Sequence, residues 1–518
     1  MPKFKEVPTL KSLSLKSIGS LIVYLTPSIM SRVKLSRDPQ KIVLHLQRTI
    51  DRINDTLVSY VPYYLYEIMA VEVLKSVKLL IEKTKKNYYP QVSMAHFLTE
   101  MNVVVSLTEV VLNPRLKTVD FSQWPKIMRY VLYKNLNKLR GLEVLNLGSC
   151  TGGWRTSEHD KNILDGIKIM KNLHTICLCF DCSDLVIQTL SENCPNLQNI
   201  DVTSSRSVTD RSVPFLLNCT NLKELQLYRT SVTTSGLARL ISGLPMLQNI
   251  GRNDEFREII SKIHHITGLT RLETKDLPTE SLRLLVNMLP NIEYICLFHD
   301  IVVADLSVLI SLTNLKQLKL LSYAFYQDSL KQLLEIQGKN FTHLHLEHVE
   351  EMDFNVLLII GKSCPKIKSL VFYNCDFRHN NQNINVQPIL SSKPYFHSLE
   401  RIFWVVDSNI NHLEFILSHS VNIKYIHLGS STGITHGNIV NILRVNPMKC
   451  LEEFRVLYSS DMSMRTVQLL LASCTNLKVL SELESWQGIR MEELKVFKEQ
   501  IRRSNFDLDI RPTLSFSS

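Results

Sequence analysis

The sequence has no uninterrupted apolar run of the roughly 18 residues that a membrane-spanning helix needs. A short apolar run at residues 18–25 follows a few lysines and superficially resembles a secretory signal. The eleven cysteines are odd in number and are not grouped in tight pairs, as expected for free buried thiols in a reducing compartment. We therefore expect location in the cytosol or the nucleus, no membrane partner, and no sugar on the sequons at Asn54, Asn218 and Asn340.

Motifs for phosphate binding and catalysis are also absent. Neither G-x-x-x-x-G-K-[ST] nor G-x-G-x-x-G occurs, so the sequence contains neither of these phosphate-binding loops. Residue order alone nominates no constellation of serine, cysteine or carboxylate groups for catalysis. We expect a chain that is not an enzyme and that needs no cofactor.

The positive charge is confined to one end of the chain. Lysine and arginine outnumber acidic residues 22 to 10 in residues 1–140, and they number 37 against 39 in the remainder. This basic region, which includes Lys83, Lys85 and Lys86, has no interleaved aromatic platform and no known nucleic-acid motif. It favours a solvated helix face or a surface for an acidic protein over a nucleic-acid site.

A pattern of the form L-x-x-L-x-L, with conservative apolar substitutions, recurs along the chain. From its first copy to its last there are 14 intervals over 361 residues, a mean of about 26, which is within the range of leucine-rich repeats. The clear copies begin at Leu142, Leu173, Leu197, Leu222, Ile292, Leu315, Phe341, Ile367, Leu399, Ile423 and Leu451, and weaker copies begin at Leu116, Leu247, Leu269 and Leu477.

Each copy predicts a short strand followed by a helix, for example at residues 184–192 and 328–335. No such unit can bury its apolar face alone, so stacked units must supply the core. Two cysteines, Cys150 and Cys375, sit two residues past the strand, in the pattern L-x-x-L-x-L-x-x-C. Four more precede the next strand: Cys194, Cys219, Cys364 and Cys474.

With the segment VTDRSV at residues 208–213, these cysteines resemble the cysteine-containing class of leucine-rich repeats, common in intracellular F-box-type substrate receptors. The resemblance covers residues from about 116 to 480. It implies an α/β solenoid, a curved horseshoe with parallel strands on the concave face and helices on the convex face. We expect three segments: a helical module at 1–115, about 15 repeats at 116–490, and a C-terminal cap and tail at 491–518.

Alternation along each strand sends the apolar anchors inward and the residues between them to the concave surface. Aromatic and arginine side chains exposed there are typical of a protein-binding surface. Stacking on neighbours in adjacent repeats is the alternative explanation. The candidate target-binding residues are Tyr228, Tyr294, Phe298, His343, His345, Arg401, Phe403, Tyr425 and Arg455.

Two clusters have metal-ligand residue types, but we expect no metal at either. Cys177, Cys179 and Cys182 lie in or just after a repeat strand without a second zinc-spaced cluster, which favours core packing. In HLHLEH, at residues 343–348, alternation puts three potential ligands on one face, yet strand neighbours about 7 Å apart rarely converge on one ion.

Two intervals are longer than the others. The first contains TGGWRTSEHDK at residues 151–161, and the second contains the asparagine-rich stretch 380–385. Insertions in repeat arrays form loops on one edge, often beside the binding face, and disorder without a function is the alternative.

Residues from about 9 to 113 show helical periodicity and no strand motif. Thr9, Leu10, Ser14 and Ile18 share one helix face and resemble the BC-box, in which a small residue, a leucine, a cysteine and an aliphatic residue follow one another and the leucine enters a pocket of elongin C. Ser14 stands where that family has cysteine. The resemblance implies an elongin C/B adaptor.

A second pattern consists of Val61, Pro62, Leu65 and Met69, which resembles the cullin-selecting box that follows a BC-box. A proline-led helix here fits an F-box almost as well, which would imply a Skp-type adaptor. A plain capping module at the open end of the repeats is the third interpretation.

The order of these segments is that of leucine-rich-repeat substrate receptors of elongin–cullin ubiquitin ligases. We therefore predict a substrate-recognition subunit whose helices bind the adaptor and cullin and whose repeats bind a target protein of unknown identity. The alternative is an interaction scaffold or inhibitor with no ligase partner.

Overall fold

A computed structural model describes residues 3–35, 38–87, 93–149, 151–153, 156–301, 304–377 and 394–512. The chain divides into two compact units. The N-terminal unit spans Pro8–Gly251, and the C-terminal unit spans Arg252–Ser518 together with Met1–Val7. Each unit has its own buried core of aliphatic and aromatic side chains.

The N-terminal unit begins with a helical module, as the periodicity predicts. Asp38 starts its second helix by accepting a hydrogen bond from the backbone N–H of Gln40 at 2.9 Å, with Pro39 at the first helical position. The helices are α1 (Leu10–Leu35), α2 (Pro39–Tyr60), α3 (Tyr66–Lys86) and α4 (Met94–Ser106), with 3-10 turns at Tyr63–Leu65 and Leu107–Val111.

Helix α1 has one buried side and one exposed side. Leu15, Ile22, Ile29 and Val33 recur at helical spacing and are each 5% exposed or less. Helix α3 passes close by, since a β-carbon on Gly19 would lie 2.6 Å from Ser76 Oγ. Among the described residues, α1 is the one helix long and apolar enough to cross a bilayer by length and composition, over Leu10–Val33, and 33% of its most apolar window is buried.

Helix α3 covers the first repeat strand. Glu67 Oε1 accepts hydrogen bonds from the backbone N–H groups of Lys117 at 3.0 Å and Thr118 at 2.8 Å. Buried Tyr66, whose hydroxyl accepts a hydrogen bond from Asn113, anchors the helix, and its burial raises its pKa to about 12. Because an edge strand leaves N–H groups unpaired, these contacts make the helices a cap for the repeats.

Six parallel strands follow in the N-terminal unit, each paired with the next in chain order where pairing is described. The strands are β1 (Thr118–Asp120), β2 (Val144–Gly148), β3 (Thr175–Leu178), β4 (Asn199–Asp201), β5 (Glu224–Gln226) and β6 (Asn249–Arg252). The helices between them are α5 (Lys126–Lys134), α6 (Ser157–Ile167), α7 (Asp184–Asn193), α8 (Val213–Leu217) and α9 (Thr234–Gly243).

The C-terminal unit continues the same order of elements, and β15 and β17 form a separate pair. Its strands are β7 (Arg271–Lys275), β8 (Tyr294–Phe298), β9 (Gln317–Leu321), β10 (His343–Glu347), β11 (Ser369–Tyr373), β12 (Arg401–Val405), β13 (Tyr425–Leu428), β14 (Glu453–Val456), β15 (Ser459–Ser463), β16 (Val479–Ser481) and β17 (Trp486–Gly488). Its helices are α10 (Phe256–Ile260), α11 (Thr279–Met288), α12 (Leu330–Gln337), α13 (Phe354–Ser363), α14 (Ile410–Ser418), α15 (His436–Val445), α16 (Met464–Ser473) and α17 (Met491–Arg503).

Every predicted copy of the repeat motif begins a strand of one of these two parallel sets, so the fold is an α/β leucine-rich-repeat solenoid with an N-terminal helical segment. The predicted helix at 184–192 is confirmed as α7. The helix predicted at 328–335 starts later, at Leu330. Ser329 takes a left-handed conformation with φ 65°, and the Asp328 carboxylate accepts a hydrogen bond from the Ala324 N–H at 2.6 Å, which forms a turn before the helix.

The described cysteines that flank the repeat strands are free buried thiols, as predicted, whereas Cys296 and Cys450 are half-exposed. Cys194, Cys364 and Cys474 end helices α7, α13 and α16, where each N–H bonds to the carbonyl four residues earlier. Burial raises the pKa of each of these thiols to about 12. Cys219 and Cys375 are also buried. Cys150, residues 154–155 of the first long interval and the stretch 380–385 lie outside the described residues.

A ladder of opposite charges lies just before the strands. The residue preceding one strand pairs with its counterpart in the next repeat: Glu293 with Lys316 at 3.0 Å, Glu400 with Lys424 at 2.8 Å, and Glu452 with Lys478 at 2.8 Å. These exposed pairs bridge neighbouring repeats at the same edge.

The two ends of the chain meet in the C-terminal unit. Asp509 exchanges backbone hydrogen bonds with Lys478 and Leu480 and so covers one side of β16, the last strand of its set. The Phe4 ring stacks on that of Phe506 with centroids 5.2 Å apart. The segment after α16 therefore caps the repeats with help from the first residues.

Candidate protein-binding surfaces

The exposed side of α1 carries the BC-box-like residues. Leu10 is 81% exposed, Ser14 is exposed and Ile18 is half-buried. The Thr9 hydroxyl accepts a hydrogen bond from the Ser12 N–H at 3.1 Å, which starts the helix and orients this first turn. We call this side, which continues through exposed Leu21 and Tyr24, the α1 outer face.

The second motif is divided between core and surface. Val61 and Met69 are 8% and 0% exposed. The prediction that these two contact a partner directly therefore does not fit the structure, because their side chains fill the helical module. Leu65 is half-buried and Pro62 is exposed.

Sequence reasoning missed the aromatic residues around this proline. Tyr60, Tyr63 and Tyr64 are 83%, 57% and 77% exposed, and Ile68 adds an exposed aliphatic side chain. The sequence does contain a signal for them. When the apolar residues that the motif specifies point into the core, the bulky residues at its unspecified positions point outward.

Basic residues of the helical module occur in two places. Lys83, Lys85 and Lys86 occupy the last turn of α3, where cations interact favourably with the helix C-terminus. A separate cavity of about 410 Å³ is lined by basic and apolar side chains of α1 and α2: Arg32, Val33, Lys41, Ile42, Leu44, His45 and Arg48.

Eight of the nine predicted target-binding residues lie on the outward side of one set of strands, β8 to β14. We call these outward side chains the C-terminal strand face. Strand register aligns Tyr294, His343, Arg401 and Tyr425 in a first row, and it aligns His345, Phe403 and Arg455 in a second. Phe298 lies in a third row with Glu347 and Tyr373.

These side chains stack on neighbours and still reach the surface. The Arg401 guanidinium lies 5.0 Å from the Tyr425 ring centroid, and Phe403 lies 6.1 Å from the His427 ring and 6.4 Å from that of Tyr373. The alternative of stacking between repeats is therefore also right. Stacking holds the rings in place, which lowers the entropy lost when a partner binds.

Charge on this face is organised around Glu453. Burial opposes ionisation of its carboxyl group, but hydrogen bonds from Arg455 and His427 outweigh burial and lower its pKa. His427 Nε2 lies 2.5 Å from Glu453 Oε1, and the Arg455 side chain donates to the same oxygen. The Glu453 carboxylate is therefore fixed between the His427 imidazole and the Arg455 guanidinium.

The histidines of the face are held in the neutral form. Burial, reinforced by Lys319, lowers the pKa of His345 to about 4 even though Glu347 lies 3.3 Å away. Burial also lowers the pKa of His343 and His427. At neutral pH the face therefore presents uncharged imidazoles beside charged arginines.

The four potential metal ligands of HLHLEH make contacts that need no ion. His343 Nδ1 lies 2.9 Å from the Thr342 hydroxyl, and His345 faces Glu347. His348 takes a left-handed conformation with φ 50°, and its ring meets Tyr373. Sequence reasoning did not name Lys319 and Tyr373. They lie at the fifth and seventh positions of the copies that begin at Leu315 and Ile367, and these positions point outward, so the alternation rule could have found them.

The ninth residue, Tyr228, lies in the N-terminal unit just after β5, with the Arg229 guanidinium 5.1 Å from its ring. The outward side chains of β1 to β6, which we call the N-terminal strand face, are mostly small or polar. Asn199 Nδ2, for example, donates to Thr175 Oγ1 at 3.0 Å.

The prediction that Cys177 and Cys179 pack in the core is wrong. Both are half-exposed on the N-terminal strand face, because they occupy outward positions of β3 and of the residue just beyond it. Only Cys182 of that cluster is in the core, at 0% exposure.

Comparison with known proteins returns structural neighbours only. No protein-family model and no curated protein sequence matches the chain. The chain is similar to the crystal structure of the Rad7 and Elc1 complex in yeast, at 15% identity and a TM-score of 0.38, over 73% of this chain and 97% of that chain. It is also similar to a leucine-rich-repeat protein of Leptospira interrogans, at 16% identity and a TM-score of 0.30, over 76% of this chain and 93% of that chain. At these values neither structure assigns a partner or an activity.

Proposed function

We propose that this chain is the substrate-recognition subunit of a cullin-RING ubiquitin ligase in the cytosol or nucleus. The observation that carries the proposal is Leu10, an 81% exposed leucine in the first turn of α1 that is followed on the same side by Ser14 and Ile18. In the BC-box family that this turn resembles, the corresponding leucine enters elongin C. An apolar side chain so exposed is suited to insertion into a partner's pocket.

The exposed residues around Pro62 supply the cullin contact in this proposal. Pro62, Tyr63 and Tyr64 replace buried Val61 and Met69 as the contacting side chains. Tyrosines give large contact areas with a polar tip, which suits a surface that stays hydrated until the complex forms.

The C-terminal strand face binds the target protein. Its stacked arginines, tyrosines and phenylalanine have the composition of binding hot spots. The chain itself performs no chemistry. It holds the target near a conjugating enzyme recruited by the RING subunit, so its contribution is an effective concentration.

One observation favours a second function, that of a scaffold or inhibitor without a ligase. Glu67 and Tyr66 tie α3 to the first repeat, so the helices have a capping role that needs no adaptor. The capping contacts and the α1 outer face involve different residues, and binding measurements therefore separate the two functions.

The test is capture of the full chain by purified elongin B/C and, separately, by a Skp-type adaptor. Elongin binding that is lost in Leu10→Ser and kept in Leu79→Ser supports the proposal, because Leu79 is also exposed, at 64%, but lies on α3. Ser14→Cys restores the family's residue and should tighten elongin binding.

Other outcomes redirect or overturn the proposal. Capture by the Skp-type adaptor alone would make the chain an F-box-type receptor. Silence from both adaptors leaves the scaffold. If elongin binds, Pro62→Ala combined with Tyr64→Ala should weaken cullin recruitment and leave elongin capture intact.

A further inference from the structure

Three potential metal ligands converge on the N-terminal strand face. Cys177 in β3 stands directly opposite Asp201 in β4 in the strand register. Cys179 is two residues further along the chain and therefore points to the same side. All three side chains are half-exposed, and one ligand atom from each lies within 4.8 Å of the others.

The distances are those of a metal site. Cys177 Sγ lies 3.6 Å from Cys179 Sγ and 3.7 Å from Asp201 Oδ2. With Zn–S bonds of about 2.3 Å and Zn–O bonds of about 2.0–2.2 Å, a tetrahedral site has S···S edges of about 3.8 Å and S···O edges of about 3.6 Å. The two edges that involve Cys177 thus differ from these values by only a few tenths of an ångström, and the third edge, between Cys179 and Asp201, is shorter than 4.8 Å.

Neighbouring groups already orient this set. The Thr203 N–H and hydroxyl donate to Asp201 Oδ1 at 3.0 and 2.7 Å, which turns Oδ2 toward Cys177. The Phe180 N–H donates to the Thr203 carbonyl at 3.0 Å and fixes the backbone just after Cys179. Supporting hydrogen bonds of this kind hold ligands in place at known metal sites.

Ionised thiols and a carboxylate suit a cation. Two thiolates and a carboxylate at these distances repel one another, and a divalent cation bound between them removes that repulsion.

We propose that Cys177, Cys179 and Asp201 bind one thiophilic divalent cation of the zinc class, with its fourth coordination position directed outward from the strand face. Two thiolates select zinc over magnesium or calcium. Each thiol gives up one proton to the solvent when its sulfur binds the ion. Such a site has three protein ligands and leaves one position for water or another side chain. This number of ligands is typical of an accessible site, because a closed structural site has four protein ligands.

The experiment is a cobalt titration of the full chain, kept reduced and stripped of metal, followed by zinc competition. We expect one Co²⁺ per chain, with a sulfur-to-cobalt charge-transfer band that zinc abolishes. Cys177→Ser and Cys179→Ser should each remove about half of that band. Asp201→Asn should weaken binding, and Thr203→Val should weaken it by about 10–100-fold while the band persists.

The matched control is Cys296→Ser, since Cys296 is a half-exposed cysteine on β8. It should leave cobalt binding unchanged. Absence of the band in the reduced wild type, or its persistence in the Cys177→Ser/Cys179→Ser double variant, overturns the proposal. The proposal is also overturned if the reduced chain binds no cobalt and the chain then loses the mass of two hydrogens on exposure to air. That result would make Cys177 and Cys179 a redox pair instead of a metal site. Circular dichroism melts verify that each variant is folded, and no adaptor is needed, so this test is independent of the ligase proposal.

Discussion

The strand face of the N-terminal unit carries mostly small or polar side chains, whereas that of the C-terminal unit carries rings and long charged side chains. Thr175 and Asn199 hydrogen-bond to each other on the first face. On the second face Arg401 lies over Tyr425 and Phe403 meets His427. In each unit the strand face rests on buried anchors that are mainly leucine and isoleucine, so the outward positions are free to differ.

The difference has a functional meaning. Large rings and guanidinium groups bury much area at low entropic cost and so suit a protein partner. Thiols and carboxylates close to one another suit a small cation instead. We therefore expect the two faces to respond differently to substitution, acid and salt.

The largest effect should come from the core below the C-terminal strand face. Trp404 is 1% exposed and packs on Phe372 and Phe377 with ring centroids 5.0 and 5.2 Å away. Trp404→Ala should lower the free energy of unfolding of this unit by about 3–5 kcal/mol, because it leaves a large cavity. Urea unfolding followed by circular dichroism measures it. A loss of less than about 1 kcal/mol in the free energy of unfolding would contradict this prediction. Loss of elongin capture by α1 in the same variant would contradict the view that each repeat is stabilised only by its neighbours.

Target binding should separate the two faces next. Arg401→Ala and Phe403→Ala should each weaken binding of a purified target by about 2 kcal/mol, roughly 30-fold, as hot-spot residues do. Asn199→Ala on the N-terminal strand face should change it by less than about 0.5 kcal/mol. Calorimetry with a target first isolated on the wild-type chain measures both, and the reverse ranking would move the binding site to the other unit.

Acid should destabilise the C-terminal unit through half-buried His345. The pKa of His345 falls from 6.5 to about 4 in the folded chain. Between these two values the unfolded state binds a proton that the folded state does not, so the free energy of unfolding decreases as pH falls through this window. His345→Gln should reduce that loss by on the order of 1–3 kcal/mol. Urea melts at pH 7 and pH 4 test this, with His397→Gln, at an exposed position, as the matched substitution control.

The smallest effect should come from the charge ladder. The Glu400 carboxylate raises the pKa of Lys424, and Lys424 lowers that of Glu400. Both side chains are more than a third exposed, so solvent screens the pair and Lys424→Ala should lower stability only slightly. Melts at low and high salt measure it, and a cost that high salt does not reduce would show that packing of the lysine stem matters more than its charge.

The two kinds of pattern read from the sequence differ in how well they predict burial. Repeat anchors such as Leu344 and Leu346 were predictable because a period of two along a strand determines which side chains point inward. The cullin-box pattern failed at Val61 and Met69, because an apolar residue at a motif position fits a helix core as well as a partner's pocket. Exposure separates these two cases, and a local pattern does not contain it.

The sequence by itself determined the spacing of the repeat strands and the outward direction of residues such as Tyr294 and Arg401, since both depend on local period, whereas the pair of β15 with β17 was not predicted. Only the tertiary structure decided which outward residues become neighbours. Cys177 and Asp201 are separated by 24 positions, and pairing of β3 with β4 brings their side chains together. Strand register between repeats is a long-range property, and the cation site that we infer depends on it.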